Sequence, residues 1–124
     1  MEFYNSKDEK IDLFDINSIK KVNFIPNSGY EVMYDHSYSL GNLVFICLGI
    51  KKTNGVFTSE DDDVGYLDIG ITLGTSFCGL GGSTNWVVDE IGYVFMSNYT
   101  ILVSDRNSTG THDRAYINTV CMKK

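Results

Sequence analysis

From Val22 onward, apolar residues recur at every second position in short runs rich in Val, Ile, Tyr and Phe, and Gly, Asn, Asp or Ser breaks each run. A period of two is the signature of strands whose side chains point alternately to opposite faces. Residues 30–34, 65–73, 91–96, 100–103 and 115–121 read as such strands. The strongest signal is residues 40–50, LGNLVFICLGI, in which Leu43, Phe45 and Cys47 share one face and Val44, Ile46, Leu48 and Ile50 share the other. Both faces are apolar. Such a strand either lies between two layers, or faces its own core on one side and a partner subunit on the other.

The turn signals refine this picture. VFMSNYTILV, residues 94–103, predicts a hairpin that reverses at Ser97 and Asn98, residues that tolerate the positive φ a tight turn demands, and residues 51–55 end the long strand in a turn. GLGG at 79–82 is expected to be a turn, because no Lys-Ser or Lys-Thr pair and no helical pattern follows to make it a phosphate cradle. Before Val22, Ile11, Leu13, Phe14, Ile16 and Ile19 fit neither the helical nor the strand period. The expected organisation is an arm or connecting segment over residues 1–24 and one antiparallel β-sandwich or jelly-roll-like domain over 25–124, an all-β chain. Phe3, Tyr4, Leu13 and Phe14 of the arm need cover, so packing on another subunit is expected.

Composition narrows the function. The chain has 124 residues, enough for one domain with a real core, and 43% of them are hydrophobic. A net charge of −6 repels a phosphate backbone, so nucleic acid is not an expected partner. No apolar run approaches the roughly 20 residues that span a bilayer, and residues 1–10 are too polar for a signal peptide, so neither membrane insertion nor secretion is expected. Cys47, Cys78 and Cys121 stand apart with no metal-ligand spacing. They are expected to be buried free thiols of a reducing cytosol, with one intrachain pair as the alternative.

Recognisable chemistry is sparse. Glu60 to Asp63 lacks the alternation of a calcium loop and reads as a solvated turn, so no metal and no cofactor is expected. His36 and His112 each adjoin a carboxylate, Asp35 and Asp113, the local ingredient of a general base, but no nucleophile elbow accompanies them. A catalytic role is therefore not expected. Trp86, the single tryptophan, follows Ser83, Thr84 and Asn85; it serves either as a core plug or as an indole face beside hydrogen-bonding groups, the combination a sugar site needs. The longest polar connection, SDRNSTGTHDR at 104–114, is either a binding loop or a solvated one.

The order of features from Pro26 to Lys124 resembles the C-terminal head domains of phage tail-fibre and baseplate receptor-binding proteins. The likeness is carried by GYEVMY at 29–34, the strand at 41–50, TSFCGL at 75–80, GYVFM at 92–96, TILV at 100–103 and AYINTV at 115–120. It implies a homotrimeric head on a virion tail or baseplate, assembled in the bacterial cytoplasm beside other tail proteins and gripping a host surface saccharide. Trp86 and Tyr99 would then stack on a sugar ring, while Asn85, Asp105, Arg106 and His112 would orient its hydroxyls. Such heads commonly end a longer polypeptide, whereas this sequence starts at Met1 with a short arm, so it stands as a fragment, an accessory subunit or something else. A purely structural virion subunit and, less expected, a small hydrolase are the alternatives.

Overall fold

The computed structural model describes residues 3–4, 10–11, 19–82, 85–106 and 110–124, with side chains from residue 19 onward except at 85–87 and 89. Ten strands account for about three quarters of them: β1 (Phe3–Tyr4), β2 (Lys10–Ile11), β3 (Ile19–Lys21), β4 (Phe24–Pro26), β5 (Tyr30–Asp35), β6 (Tyr38–Leu40), β7 (Leu43–Lys52), β8 (Asp62–Gly82), β9 (Asn85–Ser104) and β10 (Arg114–Met122). Among the described residues there is no helix. The expected all-β class is the one observed.

β1 and β2 pair with each other, and the remaining eight strands form one antiparallel sheet in the order β3-β6-β7-β10-β8-β4, with β5 added to β7 and β9 to β8. β3 and β4 hydrogen-bond to β6 and β8, so the division expected at residue 24 falls inside β4. The expected arm residues 12–18 lie outside the described residues.

The core is built from the alternation that marks the strands. Val44, Ile46, Leu48 and Ile50 of β7, Ala115 and Ile117 of β10, Leu67, Ile71 and Leu80 of β8, and Val94, Ile101 and Val103 of β9 are all buried. Burying each large aliphatic side chain contributes roughly 1.5–3 kcal/mol. At the rim, Lys52 closes a 2.6 Å ion pair with Asp62, which also accepts from the Tyr30 hydroxyl.

Three local expectations are corrected. Residues 40–50 are not one strand: Gly41 (φ 58°) and Asn42 make the tight turn between β6 and β7. Residues 94–103 do not form a hairpin but run through β9; Asn98 takes the positive φ expected of it (63°), yet it sits at an irregularity in the pairing with β8, where four residues separate Tyr66 and Ile71 while their partners Thr100 and Asn98 are separated by one. Backbone that tolerates a left-handed residue serves a bulge as well as a turn. GLGG is likewise strand, the end of β8, where a side chain at Gly79 would collide with Val88.

These irregularities bend the β8–β9 ribbon. Along one straight strand, Glu90 and Asp105 would stand roughly 50 Å apart at about 3.3 Å per residue. Instead both reach the same imidazole nitrogen of His112. The sheet curls until Asp105, which follows β9, meets the early part of the same strand.

Candidate functional site

Two places in this frame concentrate chemistry: the seam where the sheet closes, and the outer sheet face beside it.

At the seam, the segment after β7 stitches both sides of the long polar loop. Phe57 N donates to His112 O at 2.8 Å, and Thr58 O accepts from Asp105 N at 2.8 Å. Asp105 and His112 are thereby held facing each other, and His112 Nδ1 lies 3.0 Å from Asp105 Oδ2. Glu90, brought in by its pairing with Leu80, places Oε2 3.0 Å from the same nitrogen. Nδ1 carries at most one proton, and the Asp105 contact is the one with hydrogen-bond geometry; Glu90 Oε2 and Asp105 Oδ1 are buried without a hydrogen bond. Next to the pair, Arg106 lies over the ring of Tyr93 at 5.3 Å, a cation–π contact across the same seam.

The residues expected to grip a sugar therefore divide. Asp105 and His112 are drawn together but buried, at 0% and 3% exposure, and point at each other rather than at solvent. Arg106 and Tyr99 are exposed; Arg106 belongs to the seam, whereas Tyr99 lies beside Gly70 on another part of β9. The side chains of Asn85 and Trp86 lie outside the described residues. Glu90 escaped the sequence reading because nothing local joins it to the loop; only the curl does. His36 is exposed and stacks on Tyr34, while its neighbour Asp35 is engaged with backbone N–H groups instead.

The outer sheet face carries the second half of the strand alternation. Phe77 pairs with Tyr93, Thr75 with Phe95 and Gly79 with Ile91. Phe77 and Ile91 are 63% and 62% exposed, and the Phe77 and Tyr93 rings meet at 5.3 Å. Tyr116 of β10, paired to Gly79, links this patch to Val120, Phe45 and Tyr38, the last two stacked at 4.8 Å. Two shallow depressions of about 300 and 360 Å³ lie on this face, meeting at Asn118. No charged side chain occupies these positions. The apolar second face of β7 is covered at one end, where Tyr34 lies over Gly49, and open at Leu43.

The cysteines are free: Cys78 is buried, and Cys47 and Cys121 are half-buried. Burial pushes the Cys78 thiol up to about 12 and raises that of Cys121. No helix among the described residues is long and apolar enough to cross a membrane. No family model, no curated protein and no solved structure matches the chain.

Proposed function

We propose that the protein is a non-catalytic attachment subunit, the β head of a phage or prophage tail appendage, which assembles as a homotrimer through its outer sheet face and binds host surface saccharide. The observation that carries this reading is the apolar face bearing Phe77, Ile91, Phe95 and Val120 on a chain of net charge −6. Copies of one acidic chain repel each other, so close self-association requires a contact surface free of carboxylates, and large exposed apolar patches mark such surfaces. Sugar C–H faces stack on exposed rings, and Arg106 over Tyr93 supplies a donor beside one.

A second reading, a structural virion subunit without ligand, is favoured by one observation: Asp105 and His112 are buried against each other and not displayed.

Light scattering on the full chain tests the assembly. A trimer is expected, with Ile91→Lys and Val120→Lys giving monomers of unchanged circular dichroism; a monodisperse wild-type monomer at micromolar concentration sinks both readings. Glycan-array binding by the trimer, lost in Arg106→Ala, separates adhesin from scaffold.

A further inference from the structure

We propose that Glu90, Asp105 and His112 form a binding site for one divalent transition-metal cation of the Zn2+ class, which clasps the seam of the curled sheet.

Ligand atoms of the three side chains lie within 4.8 Å of one another, and two of them are 3.0 Å from the third. The two 3.0 Å separations match neighbouring ligands that subtend about 90° at an ion with bonds of about 2.1 Å. Two carboxylates converge on one nitrogen that holds at most one proton. The proton serves Asp105 Oδ2, and the surplus is visible: Glu90 Oε2, aimed at Nδ1, and Oδ1 of the wholly buried Asp105 side chain both lack a hydrogen bond. Buried carboxylate oxygens left without a donor are rare in folded proteins, and a bound ion is one of the partners that accounts for them. A cation replacing the Nδ1 proton satisfies both carboxylates at once, and Asp105 Oδ1 allows that residue to bind through two oxygens.

The mixed donor set selects the ion. Imidazole nitrogen with carboxylate oxygen suits Zn2+ and its first-row neighbours, whereas Ca2+ and Mg2+ prefer oxygen alone. The ligands are also preorganised, because Phe57 and Thr58 fix the backbones of His112 and Asp105 independently of any ion. Glu90 lies near the start of β9 and Asp105 directly follows its end, so the bound ion ties the curl shut.

The full chain, treated with chelator and then titrated with Zn2+ or Co2+, provides the test. Uptake of one ion per chain is expected, with a rise in melting temperature and visible Co2+ bands of nitrogen–oxygen ligation. Glu90→Gln, which keeps size and removes a ligand charge, should weaken Zn2+ affinity by more than about 100-fold while the metal-free protein folds as before. A thiolate-to-cobalt charge-transfer band would assign the ion to the cysteines and overturn the proposal. Equal stabilisation by Ca2+ would overturn the cation class, and the absence of saturable uptake would leave a buried ion triad in place of a metal site.

Discussion

The guanidinium of Arg106, two residues beyond the end of β9, lies over the ring of Tyr93 within that strand, and this contact exists because β9 curls back on itself. At an exposed site such a pair is worth about 0.5–1 kcal/mol. A double-mutant cycle of Arg106→Ala and Tyr93→Ala, followed by urea unfolding, should return a coupling energy of that size. Strict additivity would show that the contact contributes nothing to closing the seam.

Asp35 ties the edge of the sheet together. Its carboxylate accepts from Phe24 N at 2.9 Å and Ser37 N at 3.0 Å and pairs with Lys21 at 3.2 Å. Burial pushes its pKa up, but these hydrogen bonds outweigh burial and hold it below the ordinary 3.8. The folded state thus releases this proton more readily than the unfolded one. The stability gained is complete above pH 3.8 and fades as pH falls through the lowered value. Asp35→Asn should lose about 1–3 kcal/mol at pH 7 and show a shallower decline in acid, read by denaturant titration at several pH values.

Cys78 sits inside the sheet with its thiol pushed up to about 12 by burial. A thiol that holds its proton more tightly when folded adds stability that is whole below the ordinary value of 9.0 and disappears as pH rises toward 12. At neutral pH it is also a poor nucleophile. Thiol titration of the native protein should modify Cys47 and Cys121 before Cys78, and denaturant should release all three. Fast native labelling of Cys78 would contradict its burial.

Asn98 holds φ 63° in the middle of β9, a left-handed backbone that β-branched residues avoid. Asn98→Val should therefore destabilise by about 1–2 kcal/mol, whereas Asn98→Gly should be close to neutral. Thermal melts of the two variants give the comparison; equal losses would mean that side-chain contacts, not the backbone, decide this position.

The strands at residues 30–34 and 115–121 were legible because alternation over a local run is sufficient to specify them. Gly41 was misplaced because its apolar neighbours extend the same alternation through the turn. Ser97 and Asn98 carried a true signal, left-handed tolerance, but whether such a residue reverses a chain or bulges a strand depends on the partner strand. The seam lay beyond a local reading altogether: Asp105 and His112 share a loop, yet Glu90 joins them only through the curvature that β8 and β9 develop together. The open outer face was foreshadowed by the two apolar faces of β7, since no property of a single strand says whether a second layer covers it.

β10 occupies the middle of the sheet, between β7 and β8, although it follows both in the chain. Until Met122 has left the ribosome, β7 and β8 are therefore two unjoined edges, each offering unpaired backbone to any neighbouring strand. The nascent protein has to keep those edges apart from other chains during synthesis, and its folding yield should depend on how quickly that last gap is filled.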